Sequence, residues 1–279
     1  MQMKTLMCSV PDGPLSNTLK PLLPYGNHYQ IPIQPVGILR LMTWMEKKGY
    51  SADIYDINNL RPSDQELIKT FKQINPTVIG LSATLSHCYP NVKRITKILR
   101  ELFPDIWIVL GGHLSGSANV VLHKTETDIC VVGDGEIPFV KLLDHFKSHP
   151  SRRQLDYTGL CQIKGLAFID ENNNLKVTGN SEQLPESELQ YPDYDKLKES
   201  LQKYGGKGEW IHEFFEPIDA FKEMSVGGFD NFMRRGAHNY PKISEFYKKN
   251  MKSDPKECQV RRIFSQSWGW PTRSSRMKL

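Results

Sequence analysis

Apolar positions in the first 150 residues switch repeatedly between strand-like runs and a period near 3.6, which predicts alternating strands and helices. Thr5–Val10 reads as a strand, and Gly37–Lys48 as a helix ended by Gly49. Ala52–Ile57 is a second strand. Asp64–Ile74 follows as a helix, with Pro62-Ser63 ahead of it to start and cap the segment. Thr77–Ser82 is a continuous apolar run, as expected of a strand buried on both faces. Val92, Ile95, Ile98, Leu99 and Leu102 mark a helix over Val92–Phe103, stopped by Pro104. Ile106–Leu110 and Ile129–Val132 are the fourth and fifth strands, the last leading to a helix over Pro138–Phe146. Such alternation predicts an α/β fold with a doubly wound, five-stranded parallel sheet.

Beyond Pro150 the pattern changes. Gly165–Asp170 and Leu175–Thr178, separated by Glu171-Asn-Asn-Asn174, read as a β-hairpin. Tyr191-Pro-Asp-Tyr-Asp195 reads as a turn-rich connector, and 208–252 holds one plausible helix, Ile243–Met251. The expected division is an α/β domain over 1–150, a hairpin and connector over 151–197, and a C-terminal extension over 198–279.

Composition narrows the class without naming a function. The chain has 279 residues, 39% of them hydrophobic and 24% charged, which is ordinary for a globular protein. Its net charge of +5 is better read as a lysine-rich solvated surface than as a nucleic-acid footprint. No apolar run approaches the ~18–20 residues needed to cross a bilayer. Pro11 and Gly13 interrupt any signal-like region near the N-terminus, so a cytoplasmic protein is expected. The five cysteines are scattered with no C-x-x-C pair, which argues against a disulfide framework and a zinc motif. Cys8 and Cys130 fall within strand-like runs and are expected to be buried thiols.

In an open parallel sheet, ligands bind beyond the carboxyl ends of the strands. Here those ends carry a long connection, Pro11–Pro35, after the first strand and Ser82-Ala-Thr84 after the third. Gly111-Gly112 follows the fourth strand and Gly133-Asp134-Gly135-Glu136 the fifth. Glycine removes the Cβ that would keep a ligand off the backbone, and the hydroxyls of Ser82 and Thr84 can bond a buried polar group. Glycines end strands in many α/β proteins, but clustered at adjacent exits they favour a ligand. The ligand is not a dinucleotide or a P-loop nucleotide, because neither glycine pattern follows the first strand. A phosphoacceptor aspartate would end the third strand, where Ser82 stands.

Four blocks together resemble a known family. Gln34-Pro-Val-Gly-Ile-Leu-Arg-Leu-Met-Thr-Trp-Met45 with Gly49-Tyr50 and Ile54-Tyr-Asp56 is similar to the opening of cobalamin-binding domains fused to radical S-adenosylmethionine (SAM) enzymes. Ile79-Gly-Leu-Ser82, Val109-Leu-Gly-Gly112 and Val132-Gly-Asp-Gly-Glu136-x-x-Phe139 match the later blocks in order and spacing. The resemblance covers roughly 1–197 and implies a Rossmann-like, flavodoxin-like domain that holds cobalamin base-off, its nucleotide tail threaded into the sheet. It implies that Ser82 and Thr84 line the tail, Gly111 and Gly112 flank it, and Gly133, Asp134, Gly135 and Glu136 close over it. The D-x-H-x-x-G of other cobalamin proteins is replaced by Asp12-Gly-Pro-Leu-Ser16. His28, later in the same connection, is a candidate cobalt ligand, although a lone loop histidine is more often solvated. For His87 and His113, hydrogen bonding to the ligand is the better expectation than metal binding.

A radical SAM enzyme also needs C-x-x-x-C-x-x-C for its cluster. Trp270, Ser274 and Met277 stand where those cysteines would fall, and none replaces a thiolate. No iron–sulfur cluster is therefore expected from this chain, which reads as a truncated or degenerate relative that binds cobalamin. Two alternatives stay open. One is a subunit that presents cobalamin to a separate radical SAM protein through Trp210, Phe214, Phe215, Phe229, Phe232, Trp268 and Trp270. The other is an unrelated α/β enzyme on a nucleotide or sugar, with Asp134 or Glu136 as acid/base.

Overall fold

A computed structural model of the chain describes residues 3–11, 35–154, 156–188 and 192–204. The described residues 3–11 and those from Gly37 onward fall in one compact unit. Its strands are β1 (Thr5–Ser9), β2 (Ala52–Tyr55), β3 (Val78–Ser82), β4 (Trp107–Gly111), β5 (Ile129–Val131), β6 (Leu166–Ile169) and β7 (Leu175–Val177). They form one sheet in the order β2-β1-β3-β4-β5-β6-β7. The first five are parallel, with Met7 level with both Ile54 and Gly80. This is the doubly wound arrangement expected from the sequence. The sheet is wider than expected, however: the hairpin β6–β7 adds to β5 in antiparallel register, giving seven strands rather than five. The five-strand count missed this because β6 (Leu-Ala-Phe-Ile) pairs through its backbone, and pairing leaves no period of its own.

Alternate side chains of each strand face opposite layers. Leu6, Cys8, Ile79, Leu81, Ile108, Leu110 and Cys130 pack with helices α3 (Asp64–Ile74), α4 (Tyr89–Leu102) and α5 (Ala118–Lys124) in one core. The other face carries Met7, Gly80, Trp107 and Val109 toward α1 (Val36–Lys47) and α6 (Glu136–Ser148). There the Trp107 and Phe146 rings stack with centroids 4.4 Å apart. Cys8 and Cys130 are both fully buried, as the strand runs predict, and burial pushes the Cys130 thiol up to about 12.

Local signals set several element ends. Ser63 caps α3 through a reciprocal pair: its Oγ accepts from the Glu66 N–H at 3.3 Å, and Glu66 Oε2 accepts from the Ser63 N–H at 2.8 Å. Gly49, at φ +82°, ends α1 in the left-handed region. The second strand stops at Tyr55 rather than Ile57, because buried Asp56 caps the short helix α2 (Ile57–Leu60) and accepts from the Ser9 hydroxyl. Helix α4 starts three residues earlier than its apolar period predicts. Its first turn is Tyr89-Pro90-Asn91, and proline is tolerated there because that N–H has no helical partner. Asp128, before β5, accepts from Arg100 at 2.8 and 2.9 Å, from Arg152 at 2.6 Å and from the Ile108 N–H at 2.8 Å. Burial pushes its carboxyl up, against the two guanidiniums that favour the charged form.

Past the short helix α7 (Tyr157–Cys161), the expected turn-rich connector is corrected. Tyr194–Tyr204 forms helix α8, which runs across the 197/198 division expected from sequence. Only Tyr194, Leu197, Ser200 and Leu201 are buried, a stripe too sparse in apolar residues to announce itself. The Ser200 hydroxyl donates to the Ile54 carbonyl, and the Tyr204 ring lies 5.2 Å from that of Tyr55. The segment 205–279, with the expected helix Ile243–Met251 and the tail aromatics, lies outside the described residues.

Replacing Ser63 with alanine removes the α3 cap and is expected to cost about 1 kcal/mol. Urea unfolding of Ser63→Ala against the parent checks it. Glu66 adds a sign: its carboxyl is held below the ordinary value by the Ser63 N–H and hydroxyl. Its contribution is present above the unfolded pKa and fades as pH falls through the lower folded one. The Ser63→Ala deficit should therefore shrink at acid pH.

Candidate functional site

The carboxyl edge of the sheet opens into a cleft of about 220 Å³ between the strand exits and helices α1 and α6. Its position follows from strand order. After β1 the chain returns as α1 on one face, and after β3 as α4 on the other, so among the described residues no helix covers the seam between these neighbours. Met7, Ile38, Leu41, Val109, Val131 and Phe139 supply apolar walls, while Ser82, Arg40, Asp134 and Glu136 supply polar groups.

Most of the residues singled out from sequence meet here. Ser82, Gly111, Gly112, Gly133, Asp134, Gly135 and Glu136 all line the cleft. Thr84 does not: it is exposed, two residues past the end of β3. His87 and His113 are exposed and also lie off the lining. His28 and the rest of the connection after β1, residues 12–34, lie outside the described residues.

The glycines have different physical reasons. Gly112 is at φ +83°, and a Cβ there would stand 2.5 Å from the Ala83 carbonyl oxygen, a backbone atom that cannot swing away. That carbonyl accepts from the Leu114 N–H at 3.1 Å, so Gly112 lets the chain turn tightly against the end of β3. Gly133, at φ +94°, faces Ser181, whose hydroxyl accepts from the Asp134 N–H at 3.1 Å. Gly111 is different: a Cβ there would meet nothing nearer than the Leu81 carbonyl at 4.0 Å. It lies on the same face as Val109, so the missing side chain leaves open cleft rather than relieving a clash.

Glu136 opens α6 and pairs with Arg40 of α1 at 3.0 Å, a carboxylate placed where the helix dipole favours it. Arg40 is the lone cation lining the cleft among the described residues. Sequence reasoning gave no role to Phe139, which ends the last family block, and did not single out Arg40, Met7 or Gly80 as site residues. Gly80 carried a signal, since glycine inside a buried strand marks close approach. A Cβ there would come 2.6 Å from the Met7 sulfur and 3.3 Å from Phe139 Cζ. Cys8, Cys88 and Cys130 are buried at separate points of the core and Cys161 is exposed.

Comparison with known proteins agrees with this geometry. Residues 24–143 match the family model of the B12 binding domain. A cytidylyl-2-hydroxyethylphosphonate methyltransferase of Streptomyces wedmorensis is 23% identical over 161 residues, covering 51% of this chain and 29% of that protein. An uncharacterised methyltransferase of Pyrococcus horikoshii is 25% identical over 182 residues, covering 62% and 36%. The chain thus spans about a third of the curated relatives it matches. Among solved structures, the cobalamin-dependent SAM radical enzyme OxsB with aqua-cobalamin and SAM superposes with TM-score 0.52 at 16% identity, over 72% of this chain and 25% of that one. The radical SAM methyltransferase TsrM of Kitasatospora setae, with cobalamin and a [4Fe-4S] cluster, gives 0.50 at 16% identity, over 69% and 32%. Residues 24–143 are thus similar to B12 binding domains, and the α/β unit shares its fold with the cobalamin-binding enzymes OxsB and TsrM.

Proposed function

We propose that the chain binds cobalamin, with the nucleotide tail in the cleft and the corrin ring over the strand exits. The observation that supports this most is the missing side chain at Gly111, which opens the cleft without being required by the local backbone. The cleft's 220 Å³ is too small for the macrocycle, which leaves the tail as the part that enters. Its lining suits the tail's chemistry. Apolar walls take the benzimidazole base, Ser82 offers a hydroxyl to the sugar, and Arg40 offers charge to the phosphodiester. Gly112 flanks the tail, and Gly133, Asp134, Gly135 and Glu136 close over it. Thr84, beyond the lining, is placed to meet only the outer part of the ligand. His28 stays a candidate cobalt ligand on its position in sequence alone.

When bound, cobalamin supplies a cobalt centre able to carry a methyl group. The chain's own residues bind and orient. Glu136 is held by Arg40, and no second carboxylate pairs with it among the described residues, which favours a binding role over acid/base catalysis. We further propose that the cobalt serves methyl transfer with a radical SAM component whose cluster cysteines lie outside this sequence. Two curated methyltransferase relatives and the fold shared with two radical SAM enzymes support that pairing.

Incubating the full chain with hydroxocobalamin, desalting it and recording the visible spectrum tests the proposal. About one equivalent of retained corrin with base-off absorbance is expected, and a colourless protein would overturn it. Two glycine variants then separate space from backbone strain. Gly111→Leu should cut cobalamin retention at least tenfold while the urea midpoint stays near the parent's. Gly112→Ala should itself lose about 1–3 kcal/mol of stability, from strain at positive φ. Normal retention by Gly111→Leu would show that the tail does not use this cleft.

A further inference from the structure

We propose a second ligand site, for a divalent transition-metal ion such as zinc, at the far end of α6, formed by His145, His149 and Asp156. Each of the three offers one ligand atom, and these atoms lie within 4.8 Å of one another. His145 lies in the last turn of α6 and His149, four residues on, is its C-cap, so the two imidazoles meet at the helix end. Asp156 comes from the N-cap of α7. Nine residues of helix, about 14 Å of rise, separate this group from Glu136 at the cleft, so the site is distinct from the cobalamin site.

The His145 and His149 rings stack with centroids 4.5 Å apart and 23° between planes, so one ring must turn for both lone pairs to reach a shared ion. His149 Nδ1 lies 3.2 Å from the His145 carbonyl oxygen. A carbonyl can only accept, so this contact puts the proton on Nδ1 and leaves the Nε2 lone pair for a metal, as in protein metal centres generally. The His149 carbonyl accepts from the Trp107 indole at 2.8 Å, which anchors the helix end. Asp156 uses Oδ1 to accept from the Gly159 N–H at 3.1 Å, so Oδ2 is left for an ion. His145 Nε2 is buried and has no hydrogen-bond partner among the described residues, while Nδ1 and Cε1 form the ring edge nearest Gly159 and Asp156.

Gly159 is a separate indication. A Cβ there would run into Asp156 Oδ2 and lie 3.0 Å from His145 Cε1 and 3.1 Å from its Nδ1. The space between the carboxylate and the ring is therefore kept free by the lack of a side chain, at a helical position where alanine is the better helix former. The 4.8 Å separation must close to roughly 3.3 Å for a tetrahedral ion with 2.0–2.1 Å bonds to nitrogen, a movement within reach of side-chain rotation. Two imidazoles and one carboxylate leave a fourth position for water, a donor set that selects zinc and its neighbours over magnesium or calcium.

The test uses the untagged full chain, stripped with chelator, and zinc chloride in isothermal titration. One equivalent should bind, and His149→Gln should weaken it at least tenfold. Gly159→Ala should weaken it comparably without removing a ligand, both variants should keep the parent's far-UV circular dichroism, and His149→Gln should also keep its urea midpoint in the metal-free state. Asp156→Asn gives the same loss of affinity if it folds. No zinc binding, or binding unchanged in His149→Gln and Gly159→Ala, would overturn the site; the latter would place the ion elsewhere, the exposed Cys161 included.

Discussion

The structure depends on a disagreement between neighbours. β1 and β3 lie side by side, yet the helices that follow them pack on opposite faces of the sheet. A parallel sheet must be covered on both faces to be stable, and this arrangement covers both while leaving one seam of the carboxyl edge without a helix among the described residues. The side chains projecting from the seam then decide whether it becomes a cleft. On the α1/α6 face they are graded in size. Toward the amino end, Trp107 stacks on Phe146 and fills the layer. Toward the carboxyl end come Gly80, Ser82 and Gly111, and the layer thins until it opens.

Two polar contacts fix the width of that opening. Arg40 of α1 meets Glu136 at the start of α6, and Tyr50, just past α1, donates its hydroxyl to Asp144 further along α6. Lys147 lies over the Tyr50 ring at 4.2 Å. Exposed pairs of this kind add little stability. Their effect is geometric: they tie together the two helices bordering the cleft.

Much of this was legible in the chain because the relevant signals are local. Ser63 and Glu66 announce their helix by spacing alone, and the apolar runs of β3 and β4 admit no reading but a buried strand. The glycine clusters at the strand exits pointed to the cleft for the same reason. What stayed hidden depends on partners distant in sequence. Helix α8 is held by Ser200 and Tyr204 against β2, some 146 residues away, and its own stripe is too polar to read. Arg40 looks like any surface arginine until α6 delivers Glu136 to it. Gly80 was visible as a glycine inside a strand, but its role needs Met7 and Phe139 to be placed around it.

That trio also explains how a small cleft can serve a sizeable ligand. Clefts that hold organic ligands usually measure ~300–1,000 Å³, and this one is smaller. Its floor is the Met7 thioether lying over Gly80, next to the rim of the Phe139 ring. Methionine is unbranched and turns about three side-chain bonds, so it can leave that space without any change in the backbone. A β-branched residue at position 7 would fix the depth, and a side chain at position 80 would abolish it. The sheet stays rigid through its ladder, β1 and β3 keep their register, and the adjustment falls on the single wall residue whose chemistry allows it.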